Sequence, residues 1–304
     1  MAAAGRTSQK PPAWVEFVQS GTAAVCATVI VNPVDVMKTR LQLQSVAGAS
    51  GVRYSESGLL AGLWDVGRTE GVRGLQRGLA AASLLQFSNV AARFGFYDVF
   101  KRHLVAPGDA ANVAHLKSMV AGAGSGLIAA VVSNPFFLLK TRFQAVDNPS
   151  ARGSLADAMR ALYRDEGARG FFKGLPAFSA RVVVASSVQL SSYDSIKAML
   201  VARGLRADRV STHFAASLVT GAAVVGAMQP FDLACTRMMN QEAGGTARFR
   251  NVAHVLTETV RTEGPLALYS GVFANWARFG PYCCLVFLFL EQFRKWTGPR
   301  STGP

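Results

Sequence analysis

Apolar stretches along this chain are long but interrupted. Gly21–Val31, Met119–Ser133 and Val219–Met228 are rich in valine, alanine and isoleucine or methionine, broken by glycine, other small residues and a few charges. No window holds 20 uninterrupted strongly apolar residues. Helices of this kind can cross a bilayer when their polar groups face other helices or a wet cavity rather than lipid. Glycines at 122, 124 and 126, and at 221 and 226, favour close contact between such helices. Elsewhere the pattern is amphipathic. Apolar residues fall at helical spacing at Leu59, Leu63 and Val66, at Met159 and Leu162, and at Val255, Leu256 and Val260. They predict short helices over Ser57–Thr69, Leu155–Asp165 and Val252–Thr262, suited to lying along an interface.

These patterns recur. Asn32–Gln44 (NPVDVMKTRLQLQ), Asn134–Gln144 (NPFFLLKTRFQ) and Gln229–Gln241 (QPFDLACTRMMNQ) share one frame, with Pro33, Pro135 and Pro230 spaced by 102 and 95 residues. A second frame begins at Thr69 (TEGVRGLQRGL), Asp165 (DEGARGFFKGL) and Thr262 (TEGPLALYSGV); its final glycines, Gly78, Gly174 and Gly271, are 96 and 97 residues apart. A third follows 19 residues later, at Tyr97-Asp98, Tyr193-Asp194 and Leu290-Glu291. Self-similarity at a fixed period marks a repeat architecture. The prediction is an all-α membrane protein with six transmembrane helices in three pseudo-threefold repeats and three short surface helices. The organisation read from these frames is a flexible segment over 1–13, repeats over 14–108, 109–207 and 208–299, and a tail over 300–304.

Composition narrows the function. Of 304 residues, half are apolar and 16% charged, yet the net charge is +14. No basic run exceeds two residues and no aromatic-rich basic motif is present, which disfavours nucleic acid as the partner. The arginines cluster instead at module junctions (Arg53, Arg68, Arg73, Arg77; Arg152, Arg164, Arg169, with Lys173), where anionic lipid headgroups or an anionic substrate would meet them. The four cysteines, Cys26, Cys235, Cys283 and Cys284, lack zinc-ligand spacing, and the four histidines are scattered, so no metal site is expected. No nucleophile elbow, zinc-protease, phosphate-loop or dinucleotide motif suggests an enzyme. The first twelve residues, MAAAGRTSQKPP, are too short and polar for a signal peptide.

The pattern Pro-x-acid-x-x-base, then acid-Gly-x-x-x-x-aromatic-base-Gly, in three registered copies from about Val15 to Trp296, resembles the mitochondrial carrier family. The resemblance implies a pseudo-threefold bundle around a central cavity, open alternately to cytosol and matrix, with the surface helices on the matrix side of the inner membrane. It implies a monomer in contact with membrane lipids such as cardiolipin, and no cofactor. Within that family GLQRGLAAASLLQ, SSVQL, PFDLACTR and ALYSG are similar to the oxaloacetate carriers and their animal relatives, which points to a small anion: oxaloacetate, another dicarboxylate, or sulfate.

Roles carried over from the family fall on named residues. Pro33, Pro135 and Pro230 would kink the odd-numbered spans and draw their ends together. At that end the family's cyclic pairing implies a matrix gate of Asp35 with Lys140 and Asp232 with Lys38, braced by Gln42 and Gln144. Phe137 and Cys235 replace the third acid and base together, which leaves no stranded ion, and Met239 replaces the third brace. A cytosolic gate would pair Asp98 with Lys197, Asp194 with Arg294 and Glu291 with Lys101. Seven residues beyond the frame glycines, Leu85, Arg181 and Arg278 would face the cavity at mid-membrane depth, joined by Gln86, Val182, Asn89, Gln189 and Arg93. Guanidinium holds carboxylates in a bidentate fork, so arginines at equivalent depth suit an anion. A nucleotide or amino-acid carrier and a nonconducting membrane scaffold are the alternatives.

Overall fold

The computed structural model describes residues 13–43, 54–106, 110–145, 153–202, 210–241 and 249–297, and it is helical throughout, with no strand among the described residues. Six helices are long: α1 (Ala13–Leu43), α4 (Leu79–Leu104), α5 (Ala111–Gln144), α7 (Leu175–Ala202), α8 (Val210–Met239) and α10 (Val272–Thr297). Between them lie the shorter α2 (Tyr54–Thr69), α3 (Gly71–Leu75), α6 (Leu155–Gly170) and α9 (Val252–Glu263), and a 3-10 turn over Pro265–Tyr269. Each long helix packs on the next long one in chain order, and α10 closes on α1, so the six form a ring. The C-terminal ends of α1, α5 and α8 also touch one another across its centre.

Among the described residues, three stretches are long and apolar enough to cross a membrane: Val18–Leu43, Leu116–Gln144 and Pro265–Phe293. Leu155–Gly170 with Leu175–Val188, bent by 71°, makes a fourth if the pair is one span. The expectation of six rested on repeat symmetry. The remaining long helices, α4 and α8, are 26 and 30 residues long, above the roughly 20 a bilayer needs.

Helices α1, α5 and α8 run unbroken through Pro33, Pro135 and Pro230. A proline has no N–H to give the carbonyl four residues back. For Pro33 that carbonyl belongs to Val29, and Gln76 Nε2 donates to it at 3.0 Å. The residue before each proline ties its helix to the turn of its own repeat. Asn32 Nδ2 donates to the Leu75 and Arg77 carbonyls, Asn134 Nδ2 to those of Phe171 and Lys173, and Gln229 Nε2 to that of Ser270.

The short helices begin and end slightly off the expected positions. Helix α2 starts three residues early, at Tyr54, and α9 ends one late, at Glu263. Helix α6 opens with a Ser154–Asp157 capping box and continues past Asp165 through a left-handed kink at Gly167 (φ 65°) to Gly170. The same left-handed turn at Gly71 (φ 66°) divides α2 from α3. Val66 of α2 buries against Met37 of α1, whereas Val255 of α9 and Leu162 of α6 join the largest core cluster around Leu138, Leu139 and Phe178.

Candidate functional site: a buried ionic cluster at the helix crossing

Where α1, α5 and α8 meet, the frame glycines set the spacing. Gly78, Gly174 and Gly271 have positive φ, 71°, 75° and 76°, and each abuts the following repeat. A Cβ on Gly174 would lie 2.8 Å from Met239 Cγ, and one on Gly78 would lie 3.2 Å from Gln144 Cγ. Thus the starts of α4, α7 and α10 dock on the charged turn of the next repeat, from the first to the second, the second to the third and, at Gly271, the third to the first.

Two carboxylates occupy the crossing. Asp35 receives Lys140 Nζ at 2.7 Å and lies 3.0 Å from Arg278 Nε. Asp232 pairs with Lys38 and takes Arg181 Nη1 at 3.0 Å. Asp35, Asp232, Lys38 and Lys140 are all buried, Asp232 completely. Gln42 Nε2 reaches Asp232 Oδ2 at 3.4 Å, and Asn275 Nδ2 donates to the same oxygen at 3.3 Å. Desolvated charges of this kind require partners of opposite sign and further hydrogen bonds, and here each acid has both a lysine and an arginine. Four cations therefore surround two acids.

The glutamines work in a ring. Thr39 donates to Gln144 Oε1 at 3.0 Å and Thr236 to Gln42 Oε1 at 2.8 Å, each bond crossing between repeats. The third member of that ring is Thr141 against Met239 Sδ, at 3.9 Å. Phe137 and Cys235 join the apolar cluster that contains Met239. The Phe137 ring meets Phe178 edge-on at 4.7 Å, and the Cys235 thiol donates to the Gly174 carbonyl at 3.7 Å. The Arg181 guanidinium lies over both rings, 5.1 Å from Phe178 and 5.7 Å from Phe137.

The residues singled out for substrate contact do not all face open space. Leu85 is buried at 9% exposure. Asn89 Nδ2 donates to Ser133 Oγ at 3.1 Å, and Val182 packs where Gly126 lacks a side chain. Gln86 is half-buried, and the Gln189 side chain lies outside the described residues. Arg93 is exposed, with Nη2 3.9 Å from the Cβ position of Gly126 and no ion pair among the described residues. Arg181 and Arg278 hold Asp232 and Asp35, a second role the sequence did not disclose.

At the opposite end the expected bond between Glu291 and Lys101 is replaced. Glu291 pairs at 2.8 Å with Lys295, four residues on along its own helix, where the i,i+4 geometry brings the two together. Lys101 sits over the Tyr97 ring at 5.7 Å, and Asp98 is exposed. The side chains of Asp194, Lys197 and Arg294 lie outside the described residues.

A second ring escaped sequence reasoning. Arg40 forks onto Glu70 at 2.5 and 2.8 Å, Arg142 meets Glu166 at 2.6 Å, and Arg237 forks onto Glu263 at 2.8 and 2.7 Å. The Arg40 hydrogen bonds hold the Glu70 carboxyl below its ordinary value. Arg142 Nε also donates to the Met239 carbonyl and Arg237 Nε to that of Gln42, satisfying carbonyls at the ends of the neighbouring repeats' helices. The signal was in the frames, where a Thr-Arg and an acid-Gly recur three times.

With this geometry in view, the relatives are informative. The family described as "Mitochondrial carrier protein" matches three times, over residues 9–107, 112–204 and 206–301. The chain is 32% identical over 301 residues to the "Mitochondrial oxaloacetate transport protein" of Saccharomyces cerevisiae, covering 95% of this chain and 91% of that one. It is 35% identical over 290 residues to the protein of the same description in Schizosaccharomyces pombe, covering 92% and 89%. Identity to "Kidney mitochondrial carrier protein 1" of Xenopus laevis is 34% over 289 residues, covering 93% and 97%. The chain belongs to the mitochondrial carrier family, whose members are transporters rather than enzymes.

Proposed function

We propose that this protein moves a small dianion across the mitochondrial inner membrane by alternating access, with oxaloacetate, a related dicarboxylate or sulfate as cargo. The observation that carries the reading is the charge of the crossing. Among the described residues, Lys38, Lys140, Arg181 and Arg278 pair with two acids, Asp35 and Asp232, so four cations gather on two carboxylates at the crossing. A dianion suits that cluster of cations. The protein's own carboxylates mark what each guanidinium accepts, since an incoming dicarboxylate can make the same contacts with Arg181 and Arg278 that Asp232 and Asp35 make at rest. Arg93, exposed and with no ion pair among the described residues, lies on α4 between the cytosolic end and the crossing, where it can pass an anion inward. The printed descriptions of the two yeast relatives support oxaloacetate among the candidates.

In this reading the six long helices are six spans in three repeats, over 14–108, 109–207 and 208–299, with α2, α6 and α9 on the matrix face. The crossing is the matrix gate in its closed state, and the separation of Glu291 from Lys101 leaves the cytosolic end open. The protein works as a monomer, bedded in anionic lipid. A substrate anion that takes the arginines frees the gate aspartates from one of their two cations, so binding weakens the closure that blocks its path. An amino-acid cargo fits less well, because its ammonium needs a free carboxylate and both acids already hold two cations each.

The test is reconstitution into liposomes with labelled oxaloacetate, malonate, malate, sulfate, aspartate and ADP. Small-anion uptake is expected, and Arg181→Ala or Arg278→Ala is expected to reduce it by about tenfold or more, the loss of a charged hydrogen-bond pair. Uptake of ADP with none of the small anions overturns the reading, as does full uptake by both arginine variants.

A further inference from the structure

Both ionic pairs of the gate draw one member from α1, Asp35 in one and Lys38 in the other, and a second helix also reaches both acids. Lys140 of α5 pairs with Asp35, and Lys38 of α1 and Arg181 of α7 pair with Asp232. Helix α10 serves both, Asp35 through Arg278 and Asp232 through Asn275. These two residues lie three apart, on one face of the helix. Repeat symmetry makes the point sharper. The residues equivalent to Asn275 and Arg278 are Ala82 and Leu85 on α4, which carry no polar side chain, and Phe178 and Arg181 on α7, where only the arginine reaches an acid.

Asn275 is built into its place. It is 1% exposed, and its two amide hydrogens go to Gln229 Oε1 at 3.1 Å and Asp232 Oδ2 at 3.3 Å. Both neighbours are acceptors. Turning the amide over would set its oxygen against the carboxylate, so the donors fix its orientation. Its own Oδ1 has no hydrogen-bond partner. A buried amide with an unsatisfied oxygen is costly, and a purely space-filling position, as at Ala82 or Phe178, would avoid that cost. Gln229, the residue before Pro230 in α8, is held at the same time, so Asn275 joins α10 to that turn of α8 as well as to the acid.

We propose that Asn275 is a positioning residue that couples the two ionic pairs, so that the gate releases them together. Drawing Arg278 away from Asp35 shifts the face of α10 that carries Asn275, and Asp232 loses a donor in the same movement. Without Asn275 the pairs are linked through α1 alone. The part of this mechanism that assigns Arg278 to the cargo rests on the small-anion reading; the coupling itself does not.

A cycle of variants tests it. Lys140→Ala breaks one pair and Lys38→Ala the other, and the thermal unfolding midpoint of the purified protein in detergent needs no substrate. With Asn275 in place, the double variant is expected to lose less than the sum of the single losses, by about 2–4 °C, because breaking one pair has already loosened the other. With Asn275→Ala that shortfall is expected to shrink by about half or more, what remains being the link through α1. An equal shortfall in both backgrounds overturns the proposal. Should Asn275→Ala fail to fold, the cycle is read on Asn275→Ser, whose single hydroxyl donor cannot serve Gln229 and Asp232 at once, with the same two outcomes. In liposomes, Asn275→Ala is expected to lower the maximal rate and leave KM unchanged; a change in KM alone would place the residue in binding and overturn the coupling. If the wild-type protein carries no small anion while the shortfall still shrinks in the Asn275→Ala background, the cargo assignment fails and the coupling stands. If uptake is normal and the shortfall persists in full, the reverse holds.

Discussion

The helix crossing has two ionic sectors and one apolar sector, and the contrast extends beyond the missing bridge. In each ionic sector an acid is held by a lysine and by an arginine seven residues past a frame glycine: Asp35 with Lys140 and Arg278, Asp232 with Lys38 and Arg181. In the third sector every polar member has changed together. Phe137 stands for the acid, Cys235 for the lysine, Met239 for the glutamine and, by the same register, buried Leu85 for the arginine. Removing one member of a buried pair strands its partner, whereas removing all of them leaves a surface that packs. The difference accounts for the burial of Leu85, whose equivalents are arginines. It also sets the two arginines on two of the three sectors, and under the small-anion proposal that suits a cargo with two anionic ends.

The largest effect should come from cutting an ionic sector. Asp232→Ala leaves Lys38 and Arg181 without their acid in a buried site and is expected to cost about 3–5 kcal/mol. Cys235→Ala, equally buried, removes only a thiol from an apolar cluster and is expected to cost on the order of 1 kcal/mol. Thermal unfolding of the two variants side by side reads the comparison directly. Equal losses would mean that the sectors differ in composition but not in what they contribute.

The three-frame repeat made much of this legible in the sequence, because the same physical demands recur three times. The frame glycines, a proline in each of α1, α5 and α8, and the Asp35–Lys38 spacing with its partial copies at Lys140 and Asp232 can be read without coordinates. Register across repeats, and hence the partner of each charge, came with the family resemblance. Depth was harder to read. Arg181 and Arg278 were assigned by their positions along α7 and α10, but how closely those helices approach Asp232 and Asp35 depends on packing at the frame glycines, which spacing does not report. The Arg40–Glu70, Arg142–Glu166 and Arg237–Glu263 pairs were hidden for a different reason. Their members sit in two frames about 25 to 30 residues apart, and charges at a helix end look solvated until the short helix folds back over them. Glu291 went to a partner on its own helix because a local i,i+4 pair requires no closure of the bundle.

Converting the apolar sector to an ionic one is expected to have an intermediate effect. Phe137→Asp with Cys235→Lys would supply the third bridge, stabilise the closed gate by ~1 kcal/mol and slow reopening by about fivefold, seen as a lower maximal rate in liposomes. Phe137→Asp alone places a carboxylate near Arg181, whose guanidinium already lies over the Phe137 ring, and is expected to draw that arginine from Asp232. The single variant should therefore raise KM for the anion, and the double variant should lower the rate. An unchanged rate in the double variant would show that the number of bridges does not govern opening.

The smallest expected effect isolates one atom. Gln144 Nε2 donates to Asn32 Oδ1 at 3.1 Å, and Asn275 Nδ2 donates to Gln229 Oε1 at 3.1 Å, so in two repeats the amide oxygen before the kink proline is satisfied. In the second repeat the corresponding atom, Asn134 Oδ1, is buried without a hydrogen-bond partner. Its symmetry-related donor would be residue 239, which is methionine. Asn134 Nδ2 still binds the Phe171 and Lys173 carbonyls, so the side chain is held facing a donor that is not there. Met239→Gln keeps nearly the same length and volume at a position where Gly174 leaves little room, and it adds the missing N–H. One restored hydrogen bond is expected to stabilise the closed protein by about 1 kcal/mol, raising the unfolding midpoint by about 2 °C. The gain should vanish in an Asn134→Ala background, where no acceptor waits. If Met239→Gln stabilises both backgrounds alike, the benefit comes from the glutamine's contact with Thr141 rather than from Asn134, and the apolar sector is then short of a brace to its own helix rather than of a link to the turn before the kink.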